Sequence, residues 1–275
     1  MSFFTRNGIQ FHYLQKGSGL PLVFQHGLGS EADAVFGLLE PPLDIRLLCM
    51  DSRGHGKTTP VGPPEHFNFD CFADDLKAFL DELKLKRVIV GGSSMGAAVA
   101  LNFALRYPHR IEGLILLRPA WLETPNRSNL QAFELIAKLL REQGTQHGLE
   151  RFKATELYRR VASESSDSAN SLAGQFLNPR AVEAVVRLER IPQDCPSPDL
   201  NALRRISVPT LVLACRLDPI HPFEFGQILA HEIPGAEFKE LTPKSVDLAR
   251  FNQEVNSFVW AFLKRHFTLI ATVSS

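Results

Sequence analysis

Of the adjacent serines Ser93 and Ser94, only Ser94 has glycine two residues before it, Gly92, and two after it, Gly96. A serine in this Gly-x-Ser-x-Gly setting is suited to attack a carbonyl carbon. Glycine on both sides permits a strand-to-helix turn so sharp that a Cβ at either place would clash, and the turn pushes the serine out above the strand end. It also leaves the next backbone N–H, that of Met95, at a helix N-terminus. Unpaired amides and the helix dipole there favour the negative charge that develops on an attacked carbonyl oxygen. One turn thus presents both a nucleophile and an anion site, the two parts that acyl transfer needs first.

The flanking sequence predicts the elements that such a turn requires. Val88-Ile89-Val90 is a β-branched apolar run, and Ala97 to Tyr107 carries a helical pattern that stops at Pro108. Upstream, Pro21 to Gln25 predicts a buried strand running into His26-Gly27-Leu28-Gly29-Ser30. A glycine-rich loop at a strand's end can turn the Leu28 N–H toward the same site as a second oxyanion donor. His26 is expected to brace that loop by hydrogen bonds rather than to take protons. Downstream, Pro209 to Cys215 predicts another buried strand, and Asp218 just beyond it is a carboxylate that can face the site.

The rest of the chain supplies the frame. Phe3 to Thr5 and Ile9 to Leu14 read as a hairpin around Asn7-Gly8, and Ile45 to Met50 as a strand. The polar loop Asp51 to Pro60 needs internal pairing, which Asp51 with Arg53 would supply. Phe69, Phe72, Ala73, Leu76, Phe79, Leu80 and Leu83 recur at helical spacing, with Asp74, Asp75, Lys77, Asp81 and Glu82 on the polar side. After a strand at Ile111 to Leu117 the alternation of strands and helices, which predicts a parallel doubly wound sheet, breaks at Arg118-Pro119-Ala120-Trp121. Residues 120–205 show only helical stretches, Leu130–Gln143, Leu149–Val161, Ser168–Phe176 and Arg180–Arg190. They predict a helical cap inserted into an α/β core formed by residues 1–119 and 206–275. Helix Phe223–Ile233, strand Ala236–Leu241 and helix Phe251–Arg265 complete that core.

Composition narrows the partners. Lys+Arg and Asp+Glu each total 30, so nothing in the overall charge argues for nucleic acid or an anionic membrane. Arg204-Arg205 is expected on a solvated face. The first residues lack a basic segment followed by an apolar run, and no stretch approaches the roughly 18 apolar residues of a membrane span. A cytoplasmic protein is expected, with no cofactor and a small molecule as its substrate or ligand. Cys49, Cys71, Cys195 and Cys215 show no metal-ligand spacing, so neither zinc nor a disulfide is expected, and the Asn126-Arg127-Ser128 sequon is without consequence. Oligomeric state is not readable from the sequence.

With these residues assembled, the chain resembles the α/β-hydrolase superfamily over nearly its whole length. The marks are His26-Gly27, Asp51-x-Arg53-Gly54-His55-Gly56, Gly92-x-Ser94-x-Gly96, a helical cap, and Asp218 after the penultimate strand. The resemblance implies an eight-stranded, mostly parallel sheet, a Ser…Asp…His order along the chain, and oxyanion donors from Leu28 and Met95. Ser94 separates the chain from haloalkane dehalogenases and epoxide hydrolases, which carry Asp there. One family element is absent. The histidine expected after the last strand falls on Val246, and Pro243-Lys244-Ser245-Val246-Asp247 holds no imidazole.

A serine hydroxyl without a base is a weak nucleophile at neutral pH. His221, three residues after Asp218, is one replacement; Lys244, if burial lowered its pKa, is a second. His12, His66, His109, His147, His231 and His266 lie on elements directed elsewhere, and no base at all is the remaining option. The readings that follow are a serine hydrolase acting on an ester, thioester or similar acyl bond, or a non-hydrolytic fold member. The latter would be a substrate-assisted lyase or isomerase, or a protein that binds a small ligand. Trp121, Phe133, Phe152, Tyr158 and Phe176 either line an apolar pocket or pack the cap.

Overall fold

In the computed structural model, which describes residues 2–125 and 128–267, the chain builds one eight-stranded sheet. Asn126 and Arg127 of the sequon lie outside the described residues. The strands are β1 (Ser2–Arg6), β2 (Ile9–Lys16), β3 (Leu20–Gln25), β4 (Ile45–Met50), β5 (Val88–Ser93), β6 (Ile111–Leu117), β7 (Thr210–Cys215) and β8 (Glu237–Leu241). They lie in the order β1-β2-β4-β3-β5-β6-β7-β8. The β1–β2 hairpin adds antiparallel to β4, and all later pairings are parallel. The sheet follows from period-two burial on both faces. Val23, Leu48, Val90, Leu116 and Val212 join the core under α2 (Phe69–Glu82) and α3 (Met95–Arg106). Their neighbours Leu22, Leu47, Ile89, Ile115 and Leu211 join a second core under α1 (Ala32–Leu38) and α9 (Leu248–His266).

The chain leaves β3 toward β4 on one side and returns to β5 on the other. This reversal of strand order opens a crevice beyond the strands' C-terminal ends, where the loop after β3 and the turn after β5 meet. Between β6 and β7 come α4 (Gln131–Lys153), α5 (Glu156–Glu164), α6 (Ser166–Leu177) and α7 (Val186–Arg190), followed after β7 by α8 (Phe223–Glu232).

The structure departs from several local expectations. It has a helix at α1 that the sequence does not announce, a short element whose N-terminal side chain makes no cap. The helix expected at Leu149–Val161 is divided, because Thr155 caps a new helix by accepting from the Tyr158 N–H at 3.2 Å. The preceding α4 instead runs on to Lys153 through a kink at Gly144 (φ 71°). The Arg180–Arg190 stretch is regular helix only at α7. Asp51 does not pair with Arg53: its Oδ2 takes His12 Nδ1 at 2.8 Å and the Lys57 N–H at 2.9 Å, and its Oδ1 takes the Ala32 N–H at 2.7 Å. Asp51 thereby ties the start of α1 to the loop after β4.

Arg53 reaches Asp75 instead, with Nε to Oδ2 at 2.5 Å and an NH2 to Oδ1 at 2.8 Å, and Arg6 shares the same carboxylate. Asp75 is therefore buried rather than on the polar face of α2, the side to which its spacing assigns it. Breaking a buried ion pair by removing one partner strands the other, so Asp75→Ala is expected to lower unfolding free energy by about 3–5 kcal/mol. Urea unfolding monitored by circular dichroism measures this; a change under about 1 kcal/mol would mean that Arg53 finds water or another acceptor.

Candidate active site

Ser94 adopts φ 58° and ψ −116°, a conformation that non-glycine residues rarely hold and that packing around it must enforce. That packing uses the flanking glycines. A Cβ on Gly92 would stand 2.2 Å from the Gly96 backbone, and one on Gly96 would stand 2.2 Å from the Gln25 carbonyl oxygen. The turn from β5 to α3 is thus pressed against the end of β3, which brings Gly27 beside Ser94. Among the described residues no hydrogen bond occupies the Leu28 or Met95 N–H. Gln175 of α6 holds the Leu28 carbonyl at 3.1 Å, and His26 accepts the Ser52 N–H on Nε2 at 3.0 Å while its Nδ1 donates to the Gly27 carbonyl at 2.8 Å.

An imidazole does reach Ser94, and it comes from the loop after β7. Asp218-Pro219-Ile220-His221 forms a β-turn closed by the His221 N–H on the Asp218 carbonyl at 3.2 Å, with proline at its favoured second position. The turn folds the two side chains together. Asp218 Oδ1 lies 2.9 Å from His221 Nδ1, and His221 Nε2 lies 2.9 Å from Ser94 Oγ. A carboxylate can only accept, so Nδ1 carries the proton and Nε2 faces the serine hydroxyl as an acceptor.

The carboxylate itself is held from four directions. The Ser168 hydroxyl donates to Asp218 Oδ1 at 3.1 Å, as does the His221 N–H at 3.3 Å, while Arg118 Nε donates to Oδ2 at 2.6 Å and the Cys215 thiol to the same oxygen at 3.7 Å. Burial alone would raise the Asp218 pKa, but the Arg118 guanidinium and the His221 ring hold it far below the ordinary carboxylate range. Burial lowers the His221 pKa and the Asp218 charge only partly offsets it, so the ring is neutral at pH 7. Arg118 continues to Asp167 at 2.9 Å, and Lys244 pairs with the other oxygen of Asp167 at 3.0 Å.

Ser94, His221, Asp167 and Lys244 all border one cavity of about 340 Å³. Of the aromatic residues considered for the pocket, Phe133 borders it, whereas Trp121, Phe152 and Phe176 are buried in packing. Asp167 and Ser168 carry no sequence signal: they reach Arg118 and Asp218 across 49 and 50 residues, and no local pattern marks such pairs. Among the described residues no group of three or more His, Cys, Asp or Glu could hold a metal ion. No described helix is long and apolar enough to cross a membrane.

The family model of the alpha/beta hydrolase fold matches residues 21–245. The chain belongs to the α/β-hydrolase fold family. Among its α/β-hydrolase relatives it is 29% identical to 3-oxoadipate enol-lactonase 2 of Acinetobacter baylyi, covering 80% of this chain and 79% of that protein. It is 27% identical to pyrrolizixenacetamide deacetylase of Xenorhabdus hominickii, over 84% of this chain and 86% of the relative. The solved structure of a hydrolase from Pseudomonas aeruginosa superposes with a TM-score of 0.72 at 26% identity, covering 95% and 97% of the two chains. With hydrolases as its relatives, this α/β-hydrolase chain is an enzyme of hydrolase type.

Two further buried histidines support the site's frame. The His26 and His55 rings lie 5.0 Å apart, tilted by 53°, and burial lowers both pKa values, His55 the more strongly with the charges of His26 and Arg187 adding to the effect. Groups that stay neutral when folded but protonate freely when unfolded contribute stability above the unfolded pKa of about 6.5, and that stability is lost as pH falls below it. The urea midpoint is therefore expected to drop between about pH 7.5 and pH 5.5, and His55→Gln to flatten the slope. Equal slopes in both proteins would contradict this.

Proposed function

We propose that the protein is a serine hydrolase that cleaves an ester, thioester or similar acyl bond of a small, partly apolar molecule through an acyl-enzyme, with His221 as its base. The supporting observation is the unbroken hydrogen-bonded series Ser94–His221–Asp218 at the edge of one cavity. Ser94 Oγ attacks the carbonyl carbon and its proton passes to His221 Nε2. The oxyanion forms at the Leu28 and Met95 N–H groups, and on collapse His221 returns the proton to the leaving alcohol or thiol. Water then repeats the sequence on the acyl-Ser94 ester and restores the serine. Asp218 fixes the tautomer and stabilises the transient imidazolium, and Arg118 with Ser168 fixes Asp218.

Residues 1–119 and 206–275 act as the core in this reading, and residues 120–205 as a cap whose α6 supplies Asp167 and Ser168. Lys244 is engaged by Asp167 and is not needed as a base. The non-hydrolytic alternative drew its motive from a missing imidazole, which His221 supplies. The chain is read as a cytoplasmic enzyme with a small-molecule substrate.

Turnover of a short-chain nitrophenyl ester by pure protein tests the reading. Ser94→Ala is expected to remove about 10⁴-fold or more of kcat, as loss of a triad nucleophile does. Turnover that ignores the substitution would end the proposal.

A further inference from the structure

Resting on the acyl-enzyme reading, we propose that the groove between α1 and the first turn of α9 is the acyl-chain subsite, taking an aliphatic chain. The cavity at Ser94 extends along Ala34, Gly37 and Leu38 of α1 and Leu248 and Phe251 of α9. Positions 34, 37 and 38 fall on one helical stripe, and two of them are too small to close the gap to α9. The turn before α9 leaves the groove open: Lys244 is drawn to Asp167, and Val246, where the family histidine would fall, is 66% exposed. Leu248 at the rim is 54% exposed, an apolar surface that an aliphatic chain would cover. None of the five positions is itself charged, while Lys244 Nζ and the Arg118 guanidinium face the Phe251 ring at 5.6 and 5.8 Å at the inner end of the groove.

The direction follows from the chemistry. His221 arrives from the β7 side of Ser94 and must protonate the leaving group, which therefore lies on that side. With the carbonyl oxygen at Leu28 and Met95, the acyl substituent is left to run along α1, which begins just after the Leu28 loop, with α9 as the facing wall.

Gly37 provides the test, since an added Cβ there meets nothing within 4 Å and a helical residue other than glycine does not weaken α1. Wild-type kcat/KM on nitrophenyl esters is expected to rise from acetate to octanoate by up to ~4-fold for each methylene that the groove buries. Gly37→Phe is expected to lower octanoate turnover at least about ten-fold while acetate stays within about two-fold, and Ala34→Phe to do the same. Octanoate and acetate falling together, or neither changing, would overturn the subsite. So would the same selectivity shift appearing in acetates of long alcohols, which would give the groove to the leaving group. In each of these cases Ser94-dependent turnover persists and the hydrolase reading stands; its absence from wild-type protein would remove both.

Discussion

His221→Gln is expected to reduce kcat for ester hydrolysis by roughly 10⁴- to 10⁶-fold with little change in KM, because a triad acts as a unit and its base is used only as charge develops. Glutamine keeps polar reach toward Ser94 but cannot take a proton at neutral pH. The loss should not be recovered by adding Val246→His. That side chain is 66% exposed, and the cavity edge beside Ser94 is already served by the loop after β7. Steady-state kinetics on one nitrophenyl ester decides the matter. Activity within about ten-fold of wild type would put the base elsewhere, and Lys244, which borders the same cavity, would be examined next.

Asp218→Asn is expected to have two effects of different origin. Catalysis should fall about 10⁴-fold, since an amide NH2 facing Nδ1 favours the wrong tautomer and cannot stabilise the imidazolium. Stability should fall by about 1–3 kcal/mol, because the substitution removes one charged acceptor of buried Arg118 and leaves Asp167 as its charged partner. Urea unfolding and kinetics on the same preparation separate the two. A stable variant that is still inactive would assign the carboxylate to chemistry alone. An active variant of any stability would mean that His221 orients itself without Asp218.

Much of this arrangement is legible in the sequence because it is local. The Ser94 turn, the loop holding Leu28 and the strand before Asp218 each follow from glycine placement or apolar runs within a few residues. The Asp-Pro-x-His turn is local too, and it is what carries His221 beside Asp218; without it His221 was only one of several candidate bases. The long-range pairs were not legible. Helical spacing puts Asp75 on a solvated face because it does not reveal that Arg53 and Arg6 converge on it. Proximity along the chain matches Asp51 with Arg53, whereas the buried partner is His12 on an adjacent strand. Asp167 and Ser168 went unseen because their partners, Arg118 and Asp218, are brought to them only when the helices between β6 and β7 fold over the sheet.

The most direct measurement of the central claim, that His221 activates Ser94, is intact mass against time with a fluorophosphonate probe. It compares wild type, Ser94→Ala and His221→Gln across a pH series. Rapid addition of a single label to wild type is expected, none to Ser94→Ala, and slowing of about 10³-fold or more in His221→Gln. The wild-type rate is expected to fall on the acid side with an apparent pKa below 6.5, following the lowered His221. Labelling of His221→Gln at the wild-type rate, through Ser94 and with the same pH profile, would contradict that claim.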